Sequence, residues 1–287
     1  MPDGKFILKV CCKDVPGIVS AISSFLFRRG GNIIEAEQFD DSDTGHFFMR
    51  MAFTHDDDKG SRDALCGEFK TIANRYGMEW SIRNRSENKR VMLLVSKLDH
   101  CLVDLLYRRR LGELPMDISA IVSNHPAQTY THLDFDGTPF HYLPVTPETK
   151  PQQELSLLRL IEDTDTELVV LARYMQVLSN TCVSKLYGRC INIHHSFLPG
   201  FKGAKPYHQA HGRGVKLIGA TAHFITADLD EGPIIEQDVV RITHSDTIDD
   251  LIRKGRDIER QVLARAVAVY LDDRTFLNGN KTIVFSP

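Results

Sequence analysis

Four short apolar runs constrain this chain most. They are Val91–Val95 (VMLLV), Ile118–Ser123 (ISAIVS), Leu168–Ala172 (LVVLA) and Arg189–His194 (RCINIH). Apolar runs of this length suit strands covered on both faces. Stretches with helical spacing separate them: Leu98–Arg110, Gln152–Glu162 and Ser179–Tyr187. Strand and helix in alternation predict a doubly wound, mainly parallel α/β sheet. A further strand is expected at His141–Leu143, and one long helix at Ile248–Leu271. Ligands of such sheets bind at the carboxyl ends of the strands.

The first 84 residues follow another plan. Lys5–Cys12 reads as a strand, and Ile18, Ile22, Phe25 and Leu26 have helical spacing after Pro16-Gly17. Pro16 fits a helical first turn, and Gly30-Gly31 stops the helix. Asn32–Asp40 and His46–Thr54 read as strands, Ser61–Tyr76 as a helix and Glu79–Arg83 as a last strand. The order βαββαβ is that of a ferredoxin-like α+β domain. The polar run Asn84–Arg90 (NRSENKR) is the natural joint. The expected division is a first domain at 1–84, a linker at 85–90 and a second domain at 91–287.

Composition excludes several classes. A net charge of −3 exerts no long-range pull on nucleic acid. No run approaches the roughly 20 apolar residues of a membrane span. The start, MPDGKFILKV, has no secretory pattern, so a cytoplasmic location is expected. None of the six cysteines forms a C-x-x-C pair, which suits reduced, buried thiols. No set of His, Cys and carboxylates has metal-ligand spacing, and no metal is expected.

The chemistry concentrates between Ile191 and Gln237. Residues two apart on a strand share a face, so Asn192 and His194 point the same way. A second strand is expected at Val215–Thr226, and Asp230 lies in the acidic loop after it, 36 residues beyond His194. Together they offer an oxyanion donor, an acid/base and an orienting carboxylate. His195 alternates away from His194, though the chain turns there. His223 reads as a hydrogen-bonded structural histidine, and His208 and His211 as surface groups.

Four blocks in order carry a resemblance: Asn192-Ile193-His194, Ser196-x-Leu198-Pro199, Gly219–Phe224 and Asp228-x-Asp230-x-Gly232-Pro233-Ile234-Ile235. This arrangement resembles the folate-dependent formyltransferase family. The resemblance implies Asn192, His194 and Asp230 as catalytic residues. It also implies folate binding by Met175, Gln176, Val177 and Leu178 in the turn after a strand, and by Asp228 and Gly232 in the acidic loop. Upstream, Asp14-x-Pro16-Gly17-Ile18 and Gly31-Asn32-Ile33 resemble an ACT domain. That likeness implies a small effector of amino-acid type near Asp14, Gly17 and Asn32, and a homo-oligomer.

An absence points to the acceptor. Family members that act on glycinamide ribonucleotide carry a Gly-rich phosphate loop after the first strand of this domain. Here the stretch is Val95-Ser96-Lys97-Leu98-Asp99-His100-Cys101, without glycine and with an opposing Asp99. The chain also ends soon after its long helix and has no basic excess for tRNA. The pairing of an ACT-like domain with this catalytic pattern, and HHSFLPGFKGAKPYHQA, therefore resembles the hydrolytic branch of the family. The implied reaction is hydrolysis of 10-formyltetrahydrofolate to formate and tetrahydrofolate, supplying formate for purine synthesis and balancing folate pools. The folate is the substrate, and no cofactor is expected. The alternatives are a formyltransferase with another amine acceptor and a non-enzymatic folate or amino-acid sensor.

Overall fold

The computed structural model describes residues 5–55, 62–200 and 206–286. The chain divides into two compact units. The first contains β1 (Lys5–Lys13), α1 (Ile18–Arg28), β2 (Asn32–Asp41), β3 (His46–Thr54), α2 (Arg62–Tyr76) and β4 (Glu79–Asn84). Its antiparallel sheet has the order β2-β3-β1-β4, as the βαββαβ pattern predicts. Alternate residues of β1 and β3, among them Leu8, Val10, Met49 and Phe53, pack against Ile22 and Leu26 of α1 and Phe69 of α2. Gly17, at φ 97°, caps α1, so Pro16 lies before the helix and not in its first turn. A side chain at 17 would be strained there and would press on the Tyr76 hydroxyl.

The first unit also includes residues 272–278 and 284–286, which the sequence pattern assigns to the second domain. The cause is electrostatic. Arg274 donates to Glu35 and Glu37 of β2 at 2.7 Å each, and Arg83 of β4 donates to Asp273 at 2.7 Å. Arg50 of β3, fully buried, reaches Asp272 at 2.9 Å and Glu35 at 3.0 Å. Buried arginines of this kind require fixed carboxylates, and the tail supplies some of them.

The second unit contains β5 (Lys89–Val95), α3 (His100–Arg110), β6 (Met116–Ser123), β7 (Phe140–Tyr142), α4 (Lys150–Asp163), β8 (Leu168–Leu171), α5 (Asn180–Lys185), β9 (Cys190–His194), α6 (Pro206–Arg213), β10 (Leu217–Phe224), β11 (Ile234–Arg241) and α7 (Ile248–Leu271). Lys89 and Arg90 belong to β5 rather than to a linker, and the Lys89 ammonium donates to the Tyr270 carbonyl at 2.9 Å. The sheet order is β11-β10-β9-β8-β5-β6-β7. The five strands from β9 to β7 are parallel, and β10 and β11 close the sheet antiparallel. The chain winds outward through β6 and β7, then returns to the other side of β5 through β8 and β9. That reversal opens a crevice at the carboxyl ends of β5, β8 and β9. Among the described residues, no helix is long and apolar enough to cross a membrane.

Candidate active site

A cavity of about 670 Å³ fills this crevice, a volume suited to a cofactor-sized small molecule. The carboxyl end of β9 brings Asn192, His194 and His195 to its wall. The antiparallel register of β10 sets His223 opposite Asn192 and Thr221 opposite His194. The loop after β10 folds back with Asp230 at φ 58° and carries its carboxylate to the cavity. Asp230 Oδ1 lies 3.2 Å from His194 Nδ1. The three residues expected to act together are therefore brought together.

The hydrogen bonds fix each group's role. With Nδ1 on Asp230, His194 keeps Nε2 buried and without a partner. A buried polar atom left unpaired is unusual and marks a place awaiting a ligand. His223 Nδ1 donates to the Phe224 carbonyl at 2.9 Å, so its Nε2 accepts from Asn192 Nδ2 at 3.2 Å. Burial holds His223 below its ordinary pKa and so keeps it neutral, as an acceptor must be. That contact orients the Asn192 amide and leaves its second N–H for another oxygen. Burial pushes the Asp230 carboxyl up, but the hydrogen bond and charge of His194 outweigh it and hold the carboxyl below its usual range.

The expected folate-binding residues divide. Met175, Gln176, Val177 and Leu178 line the cavity, and Met175 and Val177 are exposed at its rim beside Leu229. Asp228 also lines it, with its side chain exposed. Gly232 does not line the cavity. Its φ is not left-handed; instead, a Cβ there would overlap the Phe224 carbonyl oxygen. Gly232 thus allows close packing of the loop on β10. In the first unit, Gly17 and Asn32 stand at opposite ends of α1, with about 16 Å of helix between them. Asp14 and Asn32 are exposed, and one copy of the chain does not gather the three into one site.

A second polar cluster on the same wall escapes the sequence patterns. Glu259 of α7 is buried and accepts from Tyr207 Oη at 2.6 Å and His100 Nε2 at 2.9 Å, with Arg173 Nε 3.3 Å away. These three neighbours hold its carboxyl below the usual range against the upward push of burial. His100, Cys101 and Glu259 also lie close enough to share a metal ion. Both Glu259 oxygens are already taken, however, and Arg173 would repel a cation. Glu259 was legible in one respect: it interrupts the apolar side of α7 between Ile258 and Val262.

In the loop after β5, Ser96 is fully engaged. The Ser96 amide donates to the Arg173 carbonyl at 3.2 Å, and its hydroxyl donates to Asn124 at 2.6 Å while accepting from the Met175 amide at 2.9 Å. Asp99 pairs with His132 at 2.6 Å.

Comparison with known proteins agrees with this architecture. Residues 89–267 match the family described as formyl transferase, and residues 6–65 match the ACT domain. A formyltetrahydrofolate deformylase of Synechocystis is 50% identical over 279 residues, covering 97% of this chain and 98% of the relative. This chain belongs to the formyltetrahydrofolate deformylase family. A deformylase of Corynebacterium is 47% identical, covering 98% of both chains. The crystal structure of the Burkholderia mallei deformylase superposes with a TM-score of 0.94 at 51% identity, covering 99% of this chain and all of that one. A glycinamide ribonucleotide transformylase of Symbiobacterium toebii reaches a TM-score of 0.64 at 26% identity, covering 71% of this chain and 97% of its own. The shared part suits the formyltransferase-like unit alone.

Proposed function

We propose that this deformylase-family chain hydrolyses 10-formyltetrahydrofolate to formate and tetrahydrofolate. One observation carries the mechanism: His194 is held through Nδ1 by Asp230 and keeps an unpaired Nε2 beside Asn192 on the cavity wall. Water adds its oxygen to the formyl carbon, and His194 Nε2 takes the proton it loses. The carbonyl electron pair moves onto oxygen, where the free N–H of Asn192 receives it. A preorganised donor of this kind contributes about 3 kcal/mol to the transition state. The C–N10 bond then breaks, N10 takes the proton from His194, and formic acid ionises. Side chains and water carry these steps, and no metal or redox cofactor enters them.

Met175–Leu178, Asp228 and Leu229 would receive the pterin, with apolar contact at the rim. The engaged Ser96 and the Asp99–His132 pair disfavour a phosphorylated amine, which supports water as the acceptor. The ACT-like unit is proposed to take an amino-acid effector near Asp14, Gly17 and Asn32. Since one copy separates these residues, such a site would need a second copy, in keeping with a homo-oligomer. A cytoplasmic location fits the folate substrate. The test is an assay with 10-formyltetrahydrofolate, with and without glycinamide ribonucleotide, measuring formate and formylated ribonucleotide together. Formate should dominate and be unchanged by the ribonucleotide; a dominant formylated product would overturn the hydrolase reading.

A further inference from the structure

We propose that His195 anchors the attacking water, accepting one of its hydrogens while His194 takes the other. The inference rests on the hydrolase reading and assigns a second histidine to it. Four observations support it.

First, β9 ends at His194, so His195 does not turn to the opposite face. The two rings stack with centroids 5.1 Å apart and planes 17° apart, and both line the cavity. Second, Nδ1 of His195 is buried with no hydrogen-bond partner. A ring nitrogen left unpaired beside the catalytic pair has room for a ligand. Third, its surroundings keep the ring neutral. Burial comes first, then the positive Arg173; with His194 they outweigh Glu259 and bring His195 down to about 4. A neutral imidazole retains one nitrogen that accepts a hydrogen bond; an imidazolium has none.

Fourth, the surrounding frame is built. Arg173, in the left-handed region at φ 64°, is fixed toward Glu259. Tyr207, whose ring centroid lies 6.1 Å from that of His195, is tied to Glu259 by its hydroxyl. Tyr207 fits because residue 255 is glycine: a Cβ there would overlap the phenol ring. Arg173, Tyr207, Glu259 and His194 face His195, and the Asp230 charge also acts on it. On the Glu259 side no group supplies a second acceptor for water: Arg173 has only donors, Tyr207 gives its proton to Glu259, and both Glu259 oxygens are engaged. On the other side Asp230 Oδ1 is turned to His194.

The step balances. The water oxygen forms the new C–O bond, one hydrogen stays on the bond to His195, and the other proton passes to His194 and then to N10 as the C–N10 bond breaks. His195 would therefore favour water over a nucleophile whose attacking atom carries a single hydrogen. Methanol serves as the probe: its one O–H proton passes to His194 and on to N10, leaving none for His195, and its attack gives methyl formate and tetrahydrofolate in the same stoichiometry.

The experiment runs the full-length wild type, His195→Ala and His195→Gln with 10-formyltetrahydrofolate and fixed methanol. Formate and methyl formate are both measured, and the uncatalysed rate is subtracted. Wild-type formate release without methanol tests the hydrolase reading separately. His195→Ala should lower kcat for formate by roughly 10²-fold, the lower end for a lost acid–base contact. The folate KM should stay near the wild-type value, and the methyl formate-to-formate ratio should rise at least about 10-fold on the same basis. His195→Gln, whose side-chain oxygen can accept, should recover part of the formate rate and of the ratio. A purely structural role would lower both products together. An unchanged ratio in both variants, with wild type releasing formate normally, overturns the proposal.

Discussion

Replacing Asp230 by Asn removes one charge and almost no volume. In the native site the carboxylate lies 3.2 Å from His194 Nδ1 and is largely buried. When His194 holds the proton taken from water, the attraction at that distance is about 5 kcal/mol for an effective dielectric near 20. The amide dipole and reorganised water return part of this. A net loss of about 3–4 kcal/mol is expected, equal to roughly 10²–10³ in kcat. Asn can also present an N–H to His194, which would impose the wrong tautomer and add to the loss. The assay is formate release at saturating folate, with circular dichroism to verify the fold. His194→Ala should lose at least as much. An Asp230→Asn enzyme that is folded and within about fivefold of wild-type kcat would refute the assignment, since a counter-charge at this distance cannot be worth so little.

His223→Phe keeps an aromatic ring and deletes the acceptor for Asn192; kcat should fall roughly 10–10²-fold, short of the loss from deleting an oxyanion donor outright, with KM nearly unchanged. Glu259→Leu leaves Arg173 buried without its carboxylate, a cost of about 3–5 kcal/mol, which calorimetry should record as a clear fall in Tm. Asp230 and Glu259 both have folded pKa values below their ordinary ones. Their stabilisation is therefore complete above the ordinary carboxylate range and is lost as pH falls through the lower folded values. Urea titrations should show the native enzyme losing stability below about pH 4 more steeply than Glu259→Leu; parallel curves would contradict the Glu259 contribution. Limited proteolysis should cut first in the exposed turn 85–88, and cutting inside Val91–Val95 instead would count against that boundary.

The sequence was most informative where local period and burial agree. Val91–Val95 and Leu168–Leu171 are covered on both faces of the sheet, so their composition alone marks them as parallel strands. Asn192, His194 and Asp230 were legible as a motif because strand alternation and one loop suffice to place them. β11 was not, because the turn signals of Asp228–Pro233 run directly into it and its burial does not alternate by polarity: Ile234 and Val239 are exposed while Glu236, Gln237 and Asp238 are half-buried. His195 was misjudged by extending strand alternation one residue past the end of β9. Arg173, Tyr207 and Glu259 come from a loop and two helices, and only the sheet's tertiary winding makes them neighbours. The return of residues 272–278 to the first unit depends on charge pairs such as Arg274 with Glu35, more than 230 residues apart in the chain, which no periodicity encodes. The packing need at Gly232 was not legible either, because it depends on the Phe224 carbonyl that the fold sets against it.

The central claim is that water accepts the formyl group. The most direct measurement is turnover of 10-formyltetrahydrofolate in ¹⁸O-enriched water by the purified chain, with no amine added and the formate analysed by mass spectrometry. The account predicts formate and tetrahydrofolate in equal amounts, with one solvent oxygen in every formate. Formate lacking solvent oxygen, or no turnover until an amine is supplied, would contradict it.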